Sequence, residues 1–195
     1  MPFRMPISHL QLWAFFALSL VFFIFLLRAF SRSAGETGSK NDPNSRLGIL
    51  LQALGIAATG IGREKATLTA FSLAGLAGTL AVVLLMAGAI MLFATSSSAL
   101  GRNWSIVART RADHELVRSG PYARVRHPIY LGLLLYLFAF AVALGHWLQL
   151  VIALPLYLAG TQIRTRVEDR LLEESFGDVF RDYRNSTPAL VPRLF

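Results

Sequence analysis

The sequence predicts an all-α, polytopic integral membrane protein with about five transmembrane helices. Of its 195 residues, 54% are hydrophobic and only 15% are charged, whereas a typical soluble domain carries about 25% charged residues. The mean hydropathy is +0.53, and apolar runs alternate with polar segments along the whole chain. This composition indicates that lipid, rather than water, surrounds most of the chain.

Five apolar runs are the predicted transmembrane helices: residues 10–27, 47–62, 68–94, 128–145 and 147–163. The first run is long enough to span a bilayer, and its length favours a retained helix over the alternative of a signal peptide. The second run is the shortest and is rich in Gly and Ala. Pro128 suits a first helical position, and the fourth and fifth runs form a tight hairpin around His146. Residues 164–184 are predicted to form a charged, amphipathic C-terminal helix.

The basic residues predict the orientation. The net charge is +8, and 16 of the 19 Lys and Arg residues lie in three segments, 28–46, 102–126 and from 164 onward. The positive-inside rule then places these segments in the cytoplasm and the N-terminus outside, in a plasma or inner membrane. Positive charge spread between apolar runs is not the single basic face of a nucleic-acid-binding protein. The absence of cysteine excludes disulfides and thiolate sites.

Several polar residues lie at the predicted cytoplasmic ends of spans. Arg124, Arg126 and His127 precede Pro128; they are interpreted either as an anchor for anionic headgroups or as part of a site. At a helix start, the His127 ring and free backbone N–H groups could meet an anionic ligand. Arg164 and Glu168 are four residues apart and share one helix face, where a simple ion pair is the alternative to a functional role.

An ordered series of motifs runs through residues 100–195. They are His114-Glu115-Leu116-Val117, Gly120-Pro121-Tyr122, Arg126-His127-Pro128-Ile129-Tyr130-Leu131-Gly132, Arg164 with Glu168-Asp169, Phe176-Gly177 and Leu190-Val191-Pro192. In this order they resemble the isoprenylcysteine carboxyl methyltransferase family, which is related to the phospholipid methyltransferases. The family usually has two glutamates where this chain has Glu168-Asp169. The resemblance divides the chain into transmembrane helices over residues 1–99 and a methyltransferase core over residues 100–195.

The resemblance implies an integral membrane enzyme that uses S-adenosyl-L-methionine without a Rossmann domain. By the resemblance, the cofactor-binding residues are His114, Glu115, Leu116, Val117, Tyr122, His127, Pro128, Ile129, Tyr130 and Glu168. Arg164 is expected to face the methyl acceptor, and the catalytic residues are expected to be Arg164 and His127. No metal and no nucleic acid are expected.

The expected acceptor is a lipophilic small molecule or a prenyl-cysteine-like carboxylate that enters from the bilayer. Arg164 suits a carboxylate, because guanidinium binds carboxylate through two parallel hydrogen bonds. A carboxylate needs no base, whereas a thiol or amine acceptor would need one, for which His127 is the nearby candidate. The alternatives are a phospholipid N-methyltransferase, a thiol S-methyltransferase, and a non-catalytic lipid-binding protein of the same fold.

Overall fold

The computed structural model of the chain describes residues 5–33, 40–41, 44–63, 65–101, 104, 109–110 and 116–190. These residues form six α-helices: α1 (His9–Ser33), α2 (Asn44–Thr59), α3 (Leu73–Leu100), α4 (Pro128–Leu144), α5 (Leu150–Phe176) and α6 (Asp178–Ser186). Strand β1 (Ile7–Ser8) pairs in parallel with β3 (Ala66–Leu68), and β2 (Lys40–Asn41) pairs antiparallel with β4 (Arg109–Thr110). The prediction of a predominantly helical fold is confirmed.

Two helices of the described chain are long and apolar enough to cross a bilayer. The mean hydropathy is 2.4 for the apolar part of α1, His9–Ser31, and 2.5 for α3. The apolar helices α2 and α4 have 16 and 17 residues, or about 24–26 Å, against a hydrocarbon thickness of about 30 Å. Apolar side chains such as Trp13, Leu20 and Leu84 point outward and are highly exposed, as lipid-facing side chains are. The chain is therefore a membrane protein, and the remaining three spans stay predictions.

The boundaries of the last helices agree with the sequence in one place and differ in another. Helix α4 begins at Pro128, where the missing N–H of proline removes no helical hydrogen bond. The fifth apolar run and the charged segment after it do not separate at Arg164, because α5 continues without a break to Phe176. The break lies instead at Gly177, whose φ of 54° favours glycine. Arg164 and the acidic residues after it therefore lie on one rigid helix.

Contacts at the two ends of the bundle fix the directions of the helices. At one end, Gly48 near the start of α2 lies against Arg164 late in α5. At the other end, the Nδ1 of His146, between α4 and α5, lies 2.9 Å from the carbonyl oxygen of Thr59 at the end of α2. Helix α5 is thus antiparallel to both α2 and α4. The first turn of α4 and the second half of α5 consequently meet at the same end of the bundle.

Aromatic side chains join α1, α3 and α4. The ring of Phe22 in α1 lies 5.1 Å from the rings of both Phe93 in α3 and Tyr136 in α4. Phe15 stacks on Phe140 at 5.1 Å with nearly parallel rings. Offset and tilted ring pairs at these distances add to the stabilisation that burial of the rings provides. This cluster supports α4, which carries Tyr130 at its other end.

Glycines allow α2 and α5 to pack backbone against backbone. A Cβ at Gly55 would lie 2.7 Å from the carbonyl oxygen of Ala153, and a Cβ at Gly48 would lie 2.5 Å from the side chain of Arg164. Between them, the Nε2 of Gln52 donates a buried hydrogen bond of 2.9 Å to the hydroxyl of Thr161. Small residues permit such close approach between membrane helices. The close packing of α2 against α5 leaves Arg164 little room to change its rotamer.

We expect Gly160→Ala to destabilise the protein, because the added Cβ would lie 2.6 Å from the carbonyl oxygen of Gly48 and 2.8 Å from the amide of Gln52. Overpacking against backbone costs about 1–3 kcal/mol. Thermal unfolding in detergent, followed by helical circular dichroism, measures the loss. Gly88→Ala is the matched control, because its Cβ would meet only the end of the Leu135 side chain, at 3.0 Å. Equal losses of thermal stability in both variants would contradict the close packing of α2 against α5.

Candidate active site

Polar side chains converge where the start of α4 meets the second half of α5. His127 immediately precedes α4, and Tyr130 lies in its first turn. Arg164 and Glu168 lie one turn apart on α5, so their side chains share a face. The short 3₁₀ helix Gly120–Ala123 leads the chain into this region. Each of these side chains thus belongs to a rigid element or to the residue at its end.

Arg164 is buried and held in one orientation. Its side chain is only 6% exposed. The Nε atom donates a hydrogen bond of 2.7 Å to the hydroxyl oxygen of Tyr130, and the Nη2 atom donates one of 3.1 Å to Glu168. Among the residues that the structure describes, none accepts a hydrogen bond from its third nitrogen, Nη1. The ion pair with Glu168 is therefore partly buried, and within the described part of the chain Nη1 is the guanidinium nitrogen without an acceptor.

Glu168 is the carboxylate at the centre of the cluster. Its Oε1 accepts hydrogen bonds from Arg164 and from the hydroxyl of Tyr130, and its Oε2 lies 3.3 Å from the Nδ1 of His127. Burial alone would raise the pKa of Glu168, but the His127 hydrogen bond and the charge of Arg164 lower the pKa to about 2. The side chain is still 25% exposed. Glu168 is thus an ionised carboxylate with an open edge.

His127 lies between two carboxylates. Its Nδ1 faces Glu168, and its Nε2 is 3.0 Å from the Oδ1 of Asp169. Burial alone would lower the pKa of His127, but its hydrogen bonds to Asp169 and Glu168 and the charges of both acids raise the pKa to about 9. The ring is therefore an imidazolium at neutral pH, with both nitrogens donating and no lone pair left to accept a proton.

Two backbone N–H groups immediately before α4 are already paired. The backbone N–H of His127 donates to the carbonyl oxygen of Ala189, and that of Arg126 donates to the carbonyl oxygen of Pro188, both at 2.9 Å. The C-terminal segment after α6 therefore pairs with this stretch of backbone. The N–H groups of Arg126 and His127 are therefore not open to an anionic ligand.

The sequence leaves Arg126 and Arg124 open between a headgroup anchor and part of a site. The surroundings of the two side chains differ. Arg126 is 11% exposed, and its Nη2 binds the Oδ2 of Asp169 at 3.1 Å. Its Nη1 donates to the carbonyl oxygens of Arg184 and Thr187, where a cation compensates the end of α6. Arg126 thus connects Asp169 on α5 to the end of α6 inside the protein. Arg124 is exposed, so the headgroup anchor remains an interpretation for Arg124 alone.

We expect the stability of the protein to depend on pH through His127 and Glu168. The pKa of Glu168 is lowered from 4.5 to about 2, so its contribution is complete above pH 4.5 and is lost as the pH falls through about 2. The pKa of His127 is raised from 6.5 to about 9, so its contribution is complete below pH 6.5 and is lost as the pH rises through about 9. Unfolding midpoints measured from pH 3 to 10 test this. In His127→Gln the fall of the midpoint at alkaline pH should be smaller than in the wild type. If the midpoint of His127→Gln fell at alkaline pH as much as that of the wild type, the assignment of this pH dependence to His127 would be contradicted.

Comparison with known proteins identifies the family. Residues 77–179 match the sequence model of the phospholipid methyltransferase family. The chain belongs to this family. A protein-S-isoprenylcysteine O-methyltransferase of Schizosaccharomyces pombe is 33% identical over 90 residues, which are 46% of this chain and 38% of that protein. The cobalt-zinc-cadmium resistance protein CzcN of Cupriavidus metallidurans is 36% identical over 101 residues, which are 51% of this chain and 46% of that protein.

A third relative is methanethiol S-methyltransferase 2 of Bradyrhizobium diazoefficiens, which is 41% identical over 75 residues, 38% of this chain and 27% of that protein. The chain thus spans less than half the length of each of these relatives. The matched region of the phospholipid methyltransferase family contains His127, Arg164 and Glu168 together. The motif residues from 114 to 177 therefore lie within the family match, and the activity of the whole protein remains to be proposed.

The structure of this phospholipid methyltransferase family member places several of the expected cofactor residues near the cluster. His127, Tyr130 and Glu168 contact one another directly. Tyr122 is buried, and its carbonyl oxygen accepts a hydrogen bond of 2.6 Å from the hydroxyl of Tyr183. Pro128 is buried, and Ile129 is half-buried against the α3–α4 core. Leu116 and Val117 are half-buried, and His114 and Glu115 lie outside the described residues.

Sequence reasoning did not predict the contact between two members of the cluster. Asp169 enters it only as a departure from the family's glutamate pair, and Arg126 is left open there between a headgroup anchor and part of a site. Their contact joins positions 43 residues apart, which no local spacing reveals. The signal that was available is chemical: a buried arginine and an extra acid beside Glu168 each require a partner.

Proposed function

We propose that this protein is a membrane-bound, S-adenosylmethionine-dependent methyltransferase that methylates the carboxylate of a lipophilic molecule. The observation that carries the proposal is Arg164, which is buried, held by Tyr130 and Glu168, and whose Nη1 has no acceptor among the residues that the structure describes. A preorganised guanidinium at the edge of an apolar bundle favours a carboxylate over a neutral acceptor. Glu168 absorbs part of its charge without occupying Nη1.

The protonation states of the cluster support a carboxylate acceptor. His127 carries its proton at neutral pH, and the pKa of Glu168 is about 2, so both are poor proton acceptors there. An ammonium or a thiol would have to lose a proton before it attacked a methyl group. A carboxylate is already ionised, so Arg164 has only to orient it.

The residues present fit S-adenosylmethionine. The open edge of Glu168 suits a hydroxyl-bearing or cationic part of that molecule, and Leu116, Val117, Tyr122 and Ile129 are the described apolar and aromatic residues that would line it. When bound, the cofactor supplies a methyl group on a cationic sulfonium, and the transfer leaves a thioether and a methyl ester with no proton to remove. The task of the protein is alignment of the acceptor and exclusion of water. No metal is needed for this chemistry.

The site is proposed to face the cytoplasm, at the membrane surface. The positive-inside arrangement with five spans puts the N-terminus outside and the C-terminus inside. The antiparallel order of α2, α4 and α5 supports this alternation, since residues 48, 130 and 164 meet at one end of the bundle. A soluble cofactor then enters from the cytoplasm, and a lipophilic acceptor enters from the bilayer. Membrane lipids are the remaining partners.

The test is transfer of a labelled methyl group from S-adenosylmethionine into lipid extracts by the purified protein. A methyl ester releases its label as volatile methanol in alkali, whereas an N-methyl or S-methyl product keeps it. We expect alkali-labile product. Label that stays after alkali treatment would contradict the carboxylate assignment while leaving a methyltransferase.

Thiol S-methylation is the second candidate, because one relative is named a methanethiol S-methyltransferase. Phospholipid N-methylation follows from the description of the family itself. Alkali-stable volatile thioether identifies the first, and alkali-stable label in the amine headgroup fraction identifies the second. A non-catalytic lipid-binding protein of this fold would transfer no label at all and would not bind S-adenosylhomocysteine.

A further inference from the structure

We infer that Asp169 is a positioning residue, which clamps His127 and through it holds Glu168 in the orientation that the cofactor meets. The role of Glu168 in this inference rests on the proposed function. The contacts of Asp169 do not depend on that function. Asp169 stands where the family usually has a second glutamate. Its contacts give it a role different from that of Glu168, since it does not contact Arg164 or Tyr130.

The two oxygens of Asp169 bind two different cations. Oδ1 lies 3.0 Å from the Nε2 of His127, and Oδ2 lies 3.1 Å from the Nη2 of Arg126. The side chains of Asp169, Arg126 and His127 are 17%, 11% and 4% exposed. Charge-assisted hydrogen bonds in such a desolvated setting are strong and directional. Asp169 therefore fixes the plane of the His127 ring.

The fixed ring then acts on Glu168. The Nδ1 of His127 lies 3.3 Å from the Oε2 of Glu168, while the Oε1 of Glu168 is bound by Arg164 and Tyr130. Glu168 and Asp169 thus bind the two different ring nitrogens of the imidazolium. Without Asp169, the ring would lose one of its two carboxylates and would give up its proton more easily. A neutral His127 with its proton on Nε2 would then leave Oε2 without a donor.

The groups that face His127 can be named for the residues that the structure describes. Helix α5 contributes the carboxylates of Glu168 and Asp169, and α4 contributes the ring of Tyr130, stacked at 5.8 Å. Of the segment after α6, the described residues contribute the backbone carbonyl of Ala189. Arg126 faces the far oxygen of Asp169 and not the ring. Among the described residues, the proton on His127 therefore depends on Glu168 and Asp169, and Asp169 is the one that contacts neither Arg164 nor Tyr130.

The experiment is an NMR titration of the histidine side chains in Asp169→Asn, Asp169→Glu and the wild type, without cofactor. His127→Gln identifies the His127 signal among the four histidines of the chain. In the wild type we expect His127 to stay protonated through pH 8. In Asp169→Asn it should titrate about two pH units lower, so that the ring is mostly neutral at pH 8, and in Asp169→Glu close to the wild type. Asp178→Asn, which removes an acid that is 90% exposed, should change nothing.

Binding of S-adenosylhomocysteine supplies the second readout. Asp169→Asn should bind about tenfold more weakly at pH 8 than at pH 6, because loss of one charged hydrogen bond has roughly that effect. Asp169→Glu should restore the wild-type pH profile. An unshifted His127 titration in Asp169→Asn would overturn the inference, and so would equal binding losses at both pH values. If Asp169→Asn does not fold, Asp169→Glu decides, because a His127 that deprotonates near pH 6.5 despite that carboxylate contradicts the clamp.

The two proposals fail in different ways. If the wild type does not bind S-adenosylhomocysteine, the proposed function falls, yet the cofactor-free titration still tests whether Asp169 holds His127. If the wild type binds but the His127 titration ignores Asp169, the function stands and the positioning role is wrong.

Discussion

Arg164→Ala is expected to lower kcat/KM for the acceptor by roughly a hundredfold or more, since the charge and the Nη1 donor that would orient the acceptor carboxylate are lost, and Tyr130 and Glu168 lose a donor as well. The affinity for S-adenosylhomocysteine should fall by no more than about tenfold, because Glu168 keeps its contacts with His127 and Tyr130. Methyl-transfer kinetics and calorimetric binding, both in lipid nanodiscs, separate the two effects.

Arg166→Ala is the matched control for that variant. Arg166 lies on the same helix and is exposed, so its loss should leave both quantities near their wild-type values. Arg164→Lys adds a finer test, since lysine keeps the charge but loses the planar fork of donors. If Arg164→Ala weakened cofactor binding as much as turnover, Arg164 would belong to the cofactor site and not to the acceptor site.

Glu168→Gln is expected to weaken binding of S-adenosylhomocysteine by roughly a hundredfold, because a neutral amide replaces a carboxylate that three donors address. Arg164 and His127 would also face each other across an uncharged group. The variant should therefore lower the unfolding midpoint as well. Calorimetric binding and thermal unfolding measure the two losses.

Glu174→Gln is the control for the carboxylate, since Glu174 lies on α5 but is exposed. It should match the wild type in both measurements. Glu168→Gln that bound S-adenosylhomocysteine with wild-type affinity would remove Glu168 from the cofactor site. Its buried ion pair with Arg164 would then be purely structural.

The sequence predicted the helices well where composition alone decides. Hydropathy located α1 to α4 with their ends within six residues of the predicted runs, and Pro128 marked the start of α4. It placed a boundary at Arg164, because the composition changes there from apolar to charged. Charged residues such as Arg, Glu and Lys are good helix formers, so α5 continues through that change. The backbone break needs a residue that accepts positive φ, and Gly177 supplies it.

The candidate site was predictable as a set of residues but not as a network. Spacing put Arg164 and Glu168 on one face, and the resemblance to a known family brought His127 and Tyr130 to them. Spacing gave no sign that Asp169 binds His127, nor that Arg126 binds the carbonyl groups at the end of α6. Those contacts depend on how α5 and the C-terminal segment pack against α4. They change the expected state of His127 from a candidate base to an imidazolium.

The most direct test of the proposed function is calorimetric titration of S-adenosylhomocysteine into the purified wild-type protein in lipid nanodiscs, beside Glu168→Gln and Glu174→Gln. Saturable binding by the wild type and Glu174→Gln that is lost in Glu168→Gln is the predicted result. No measurable binding by the folded wild-type protein would contradict it.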